Sequence, residues 1–298
     1  MTLRTGAAAV AAVSLAAVVI TGSASASQLV DRNAAAVTLQ VSSRGEALLT
    51  YRAGGRLRRV LAWGAINAVP PGSKRQVAFR LDYSGGWGAF RRHVWKTFRN
   101  ACGPYSGPAL QWLVTACTAP DGSHWALQSW QRTLPNFGVR PTATQSSWEL
   151  RLSHWSGPLP QLEVKTNWAY RRYDHLYGRF TYRGLPVHGS RSTPAGVPLD
   201  AFGRTLYVDT FNSAYGRGWR RENGFLMHKG TGAFCYGFFP HSGRPVGAGT
   251  KYRATITGPG VTPDIVWTAP EPGPYDRARD AAANAEISAL GSRRCRPN

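Results

Sequence analysis

The sequence predicts an all-β protein, an antiparallel β-sandwich or jelly-roll-like fold with one C-terminal α-helix. Three observations carry this. Short runs alternate apolar and polar residues with the two-residue period of half-buried strands. Turn sequences such as PDGS, SGPLP, NG and KGTG separate those runs at the intervals of sandwiches and barrels. A single stretch near the end is alanine-rich enough to form a helix of several turns.

Residues 36–41 (AVTLQV) alternate; the Ser43-Arg44-Gly45 turn leads into Glu46–Arg52, and Ala53-Gly54-Gly55 into Arg56–Trp63, giving a three-strand meander. Val69-Pro70-Pro71-Gly72 breaks it, because neither proline can donate to a ladder. Gln76–Tyr83 alternates again before SGGWG. The next segment, AFRRHVWKTFRN (89–100), spaces Phe90, Val94, Trp95 and Phe98 as a helix would, yet it has the aromatic and β-branched content of a strand. An irregular or strand conformation is expected there. Further strands are predicted at Leu110–Cys117, Trp125–Arg132, Trp148–Trp155, Leu162–Trp168, Leu176–Arg183, Thr205–Asn212, Gly224–His228, Ala233–Phe239, Lys251–Thr257 and Asp264–Trp267. Pro274 opens the helix, Asp276 and Asp280 sit in early turns where the dipole favours anions, and Gly291 ends it. No repeat of fixed period is present. SRSTPAGVP (190–198) is the best linker candidate, but strands of like character flank it, so residues 27–298 read as one β-rich domain with any subdivision placed there.

Residues 1–26 read as a secretory signal: Arg4 supplies the positive start, Ala7–Ile20 is a small-residue apolar run, and Ala24-Ser25-Ala26 fits a cleavage site. Cleavage would leave Ser27 first, in an extracellular or cell-wall-associated protein without a transmembrane segment. Four cysteines in an exported chain point to disulfides, with three possible connectivities. Cys102–Cys117, bracketing GPYSGP, and Cys235–Cys295, tying down the tail, are the expected pairs. With no C-x-x-C and no cysteine–histidine pair at finger-like spacing, no metal or cofactor is expected.

Lys and Arg number 36 against 15 Asp and Glu, and only five are lysines. Guanidinium binds carboxylate or phosphate through two parallel hydrogen bonds, and a strongly basic surface attracts polyanions. Export argues against nucleic acid, leaving anionic polysaccharide or cell-wall polymer as the expected partner. Short basic clusters fall at Arg56–Arg59, Arg91–His93, Arg171–Arg172 and Arg217–Arg221.

The chain has no G-x-S-x-G, H-E-x-x-H or P-loop. Its densest collection of rings and charges is Asp200–His241. There, strand periodicity puts Leu206, Val208 and Thr210 on a core face and Tyr207, Asp209 and Phe211 on the other. A carboxylate between two rings suits sugars, whose apolar faces stack while their hydroxyls hydrogen-bond. Asn212, Tyr215, Arg217, Trp219, Glu222 and His228 complete the candidate ligand-binding set with Tyr207 and Asp209. The opposing expectation buries Tyr207 and Phe211, with Asp209 held by an arginine such as Arg204 or Arg220. Sequence thus points to a secreted basic protein that binds anionic glycans without catalysis. The alternatives are a glycoside hydrolase built on Asp209 and Glu222, a lyase using Tyr207, Asn212, Arg217 and His228, or a structural envelope protein.

Overall fold

A computed structural model describes residues 27–69, 76–131, 134, 146–169, 171, 173–186, 191–192, 198–199, 206–213, 216–221, 224–228, 233–238, 249–256, 258 and 260–289. The expected leader, residues 1–26, lies outside them. The described chain is mostly antiparallel β-sheet with one C-terminal helix of 13 residues.

The first half runs β1 (Gln28–Arg32), β2 (Ala35–Val41), β3 (Ala47–Ala53), β4 (Arg56–Trp63), β5 (Arg80–Asp82), α1 (Trp87–Phe90), a 3-10 turn at Val94–Lys96, β6 (Gly103–Pro104), β7 (Leu113–Thr118), β8 (His124–Gln131) and β9 (Trp148–Trp155). The expected meander forms a sheet of order β2-β3-β4-β5, and β1-β9-β8-β7-β6 forms a second. Alternate residues Leu49, Tyr51, Val60 and Ala62 of the first meet Val30, Trp125, Leu127, Leu150 and Leu152 of the second in one buried cluster. That interdigitation of inner faces makes a sandwich.

The second half runs β10 (Gln161–Ala169), β11 (Tyr173–Tyr182), β12 (Leu185–Pro186), β13 (Arg191–Ser192), β14 (Pro198–Leu199), β15 (Leu206–Ser213), β16 (Gly216–Arg221), β17 (Gly224–His228), β18 (Ala233–Phe238), β19 (Lys251–Ile256), β20 (Ile265–Pro270) and α2 (Arg277–Ala289). Its sheets are β10-β11-β18-β17, with β12 beside β11, and β16-β15-β19-β20. Val164, Leu176, Phe180 and Phe234 pack against Leu206, Val208, Ala254 and Ile256 in a second core. The changeover between the two sheet pairs falls between Trp155 and Gln161. Within the 190–198 stretch, Arg191–Ser192 pairs with Pro198–Leu199 as β13 and β14. Val261 enters the first core and Ala68 the second, so each sandwich lends the other a side chain.

The segment at 89–100, expected as irregular or strand, contains the end of α1 and the 3-10 turn. Asp276 caps α2, its carboxylate accepting the Arg279 amide at 2.8 Å, and Ala283 and Ile287 bury against Tyr177 and Cys235. Cys102 and Cys117 form the expected disulfide. Cys235 is also disulfide-bonded, and its expected partner Cys295 lies outside the described residues. No helix among the described residues is long and apolar enough to cross a membrane.

Two buried histidines make the fold sensitive to acid. Burial pushes the imidazoles of His154 and His175 down to about 4. His175 Nδ1 donates to Asn167 Oδ1 at 2.5 Å; His154 Nδ1 donates to the Ala65 carbonyl, and its ring stacks on Trp125 at 3.7 Å. A depressed histidine pKa means that the unfolded chain takes up protons first as pH falls. The stabilisation is therefore complete above pH ~6.5 and is lost towards pH 4, about 2 kcal/mol per ring at pH 5. Asp174 acts oppositely: burial raises its carboxyl to about 6, and acidification through that value returns about 1 kcal/mol. The expected result is that both imidazoles stay neutral by NMR from pH 7 to 5, their contribution to stability falling across that range. Ring resonances titrating near 6.5 would contradict it.

Candidate functional site

The register of the second sandwich fixes the surroundings of Asp209. In central strand β15 it lies opposite Arg221 of β16 on one side and Arg253 of β19 on the other. Residues directly opposite share a face, so both guanidiniums reach the carboxylate. Arg221 Nε donates to Oδ1 at 2.5 Å; Arg253 donates to Oδ2 through Nε at 3.0 Å and Nη2 at 2.7 Å. Asp209 is only 1% exposed. Arg220 belongs to the other face by the same periodicity, and Arg204 lies outside the described residues.

Rings from both sandwiches enclose this ion triad. Arg221 sits 4.2 Å over Tyr207, and Arg253 lies 4.3 Å from Trp219 and 5.2 Å from Trp112. Trp112 stacks on Trp130 at 5.5 Å, and Trp130 meets Tyr207 edge-on at 5.6 Å. Because Trp112 and Trp130 belong to the first sandwich, the face bearing Tyr207, Asp209 and Phe211 forms a seam between the halves. Leu206 and Val208 point the other way, into the core, and Thr210 is buried.

The other candidate residues divide by position. Asn212 is exposed, takes a left-handed backbone (φ 56°) and accepts the Gly218 amide at 2.8 Å, which shapes the hairpin; Arg217, near the start of β16, is exposed. Trp219 is half-buried and packs on Phe211 at 5.1 Å. Tyr215, Glu222 and the side chain of His228 lie outside the described residues. The backbone of His228 ends β17, in the sheet across the core from Asp209. Since Asp209 is on the face turned from that core, the two positions are on opposite sides of a sheet.

A surface where aromatic and basic groups reach solvent is built instead by residues 82–99. Asp82, at the end of β5, organises it. Its Oδ1 accepts the Ser84 amide at 2.8 Å and the Ser84 hydroxyl, and its Oδ2 accepts the Ala89 amide at 2.9 Å. Ser84 Oγ in turn accepts the Gly88 amide at 2.7 Å. Burial opposes ionisation of Asp82, but the hydrogen bonds from Ser84, Ala89 and Gly86 outweigh it and hold the carboxyl below its usual range. Gly85 and Gly86 have φ of 67° and 111°, and a Cβ on Gly86 would lie 2.4 Å from Val94. Only glycine fits there, and buried Val94 plugs the space beneath.

That turn lays the loop on the outer face of β4. Arg59 stands 3.9 Å over the Trp95 ring, and Trp63 packs on Phe90 at 5.4 Å. Trp87 stacks on His93 at 5.2 Å. Trp87 remains 50% exposed and Phe90 41%. Arg91, Arg92, His93, Lys96 and Arg99 are exposed around them. Asp82 is the sole acid between residues 76 and 100, and its oxygens are committed to the loop. The surface therefore offers ring faces to apolar ligand surfaces and guanidiniums to anions, on a scaffold fixed by one carboxylate. Sequence reading marked Arg91–His93 as a basic cluster but left Trp87, Phe90 and Trp95 out of the candidate set. The available signal was a glycine pair beside alternating rings and bases.

Among the described residues, no group of three or more His, Cys, Asp or Glu is arranged to hold a metal ion. Compared with known family models, curated proteins and solved structures, the chain matches none.

Proposed function

We propose that the protein is exported and binds anionic glycans or cell-wall polymers without catalysis, through the basic aromatic surface at residues 82–99. The observation that supports this best is the exposure of Trp87 and Phe90 among Arg91, Arg92 and Lys96, with the local acid consumed in the turn. Rings of this kind stack on the C–H faces of sugars, and the adjacent guanidiniums pair with uronate or phosphate groups. Asp209 favours binding over hydrolysis, because both its oxygens are occupied by guanidiniums and its 1% exposure closes it to a glycosidic bond.

The test is binding to a soluble uronic-acid polymer near physiological salt, followed by calorimetry. Trp87→Ala is expected to raise Kd about tenfold, the ~1.4 kcal/mol typical of a lost aromatic anchor. Adding Arg91→Gln and Arg92→Gln is expected to abolish retention on the immobilised polymer with the melting temperature unchanged. Equal affinity of all three proteins, or equal affinity for a neutral glycan, overturns the proposal. New ultraviolet-absorbing unsaturated ends would establish a lyase instead.

A further inference from the structure

We propose that hydrolysis of the Ala26–Ser27 bond creates an internal ligand, the α-ammonium of Ser27, which pairs with the buried carboxylate of Asp264 and locks the seam between the sandwiches. The inference rests on the export reading and on cleavage after Ala26. Water adds across the amide: its hydroxyl goes to the Ala26 carbonyl carbon and its proton to the Ser27 nitrogen. That nitrogen takes a further proton from solvent, since an α-amine has an ordinary pKa of about 7.7–8.0.

The receiving site is already built. Ser27 is fully buried, its hydroxyl donates to Asp264 Oδ2 at 2.8 Å, and its carbonyl accepts Arg151 Nη1 at 3.2 Å. Trp130 Nε1 donates to the same Oδ2 at 2.9 Å, while Gln128 holds the backbone amide and carbonyl of Asp264. Asp264 is 2% exposed, and its Oδ1 has no hydrogen-bond partner among the described residues. A buried carboxylate with one oxygen unmatched is costly. Burial accordingly raises the Asp264 carboxyl above its usual range, against the pull of Arg151.

Among the described residues, both cations at this cluster pair with Glu149 and neither forms an ion pair with Asp264. Glu149 and Asp264 are both buried, and the buried guanidinium of Arg151 is committed to Glu149 at 2.6 Å. Arg32, the other partner of Glu149, has a side chain 52% exposed. The Ser27 nitrogen and Oγ are borne on adjacent carbons, and that Oγ already donates to Asp264 Oδ2, so the nitrogen belongs to the residue that touches the carboxylate. In the uncleaved chain that nitrogen is a neutral amide with one proton; after hydrolysis it is a cation with three donors. The precursor thus lacks a seam contact that the processed chain has, and the final gain in stability follows removal of the leader.

The test compares the chain beginning at Ser27 with one retaining Ala24-Ser25-Ala26 before it, each with and without Asp264→Asn. The processed chain is expected to melt about 4 °C above the extended one, and the gap to vanish in the Asp264→Asn pair. The folded-state amine pKa is expected to be raised by its partner, so its contribution is full below pH ~8 and fades as pH rises beyond that. The gap should therefore narrow between pH 7 and 9.5. Equal melting of the two chains, or a gap that persists between the two Asp264→Asn chains, overturns the inference. If the Asp264→Asn chains do not fold, a gap unchanged to pH 9.5 overturns it. Mass spectrometry of the secreted protein separates the premises: a first residue other than Ser27 overturns the cleavage point and the inference with it. Ser27 first without a melting gap overturns the inference alone.

Discussion

Asp209→Ala is expected to lower the free energy of unfolding by about 3–5 kcal/mol, the cost of breaking a buried ion group by removing one member. Asp209 has a side chain 1% exposed, and those of Arg221 and Arg253 are each 14% exposed. Without the carboxylate, two guanidiniums face each other with little water to screen them, between Tyr207, Trp112 and Trp219. The cost comes from the stranded cations rather than from the net worth of the pairs. Replacing all three residues by apolar ones of similar volume should therefore recover most of the loss. Urea unfolding of the single and triple variants measures both effects. A single-variant loss below about 1 kcal/mol would place the pair in the class of weak surface bridges.

Loss of the Cys102–Cys117 disulfide, by Cys→Ser at both positions, is expected to destabilise by about 3 kcal/mol, as for closure of a loop of about 15 residues. The bridge joins β7, where Cys117 is buried in the first core, to the chain leaving the basic aromatic surface. Just before Cys102, Asn100 Oδ1 accepts the Val41 amide at 2.9 Å, and the Ala101 amide donates to the Val41 carbonyl at 2.7 Å. These bonds hold the exit of residues 82–99 without the disulfide, and Asp82 holds the entry. Polymer affinity should consequently change less than twofold while stability falls, and reducing agent should reproduce the double variant. Affinity lost in parallel with stability would show that the surface depends on the bridge.

The two results bear on different parts of what could be read in advance. Period-two alternation located β2, β3, β4 and β9 almost to the residue, and it divided β15 correctly into a core face at Leu206 and Val208 and an opposite face at Tyr207, Asp209 and Phe211. Burial repeats along a strand with the backbone, so local sequence records it. Two other strands carry no such record. β1 (QLVDR) is too short to show a pattern and is a strand because β9 pairs with it. β16 (GRGWRR) has two glycines and three arginines and lies outside every predicted strand; pairing with β15, across which Arg221 meets Asp209, holds it extended.

The segment AFRRHVWK shows the same limit from another side. Its spacing fitted either a helix or a strand, and the choice came from Asp82, whose carboxylate takes the Ala89 amide, and from Gly86, which leaves room for Val94. Sequence by itself determined the β class, the C-terminal helix and the excess of arginine, and it favoured the Cys102–Cys117 bridge. Tertiary structure alone decided what each strand face meets. The partners of Asp209 are 12 and 44 residues away, and those of Asp264 include Ser27, 237 residues away. Local periodicity states that a face is covered; the identity of the covering group depends on how two sheets dock. Here docking turned an apparent ligand platform into a seam and left the basic aromatic turn facing solvent.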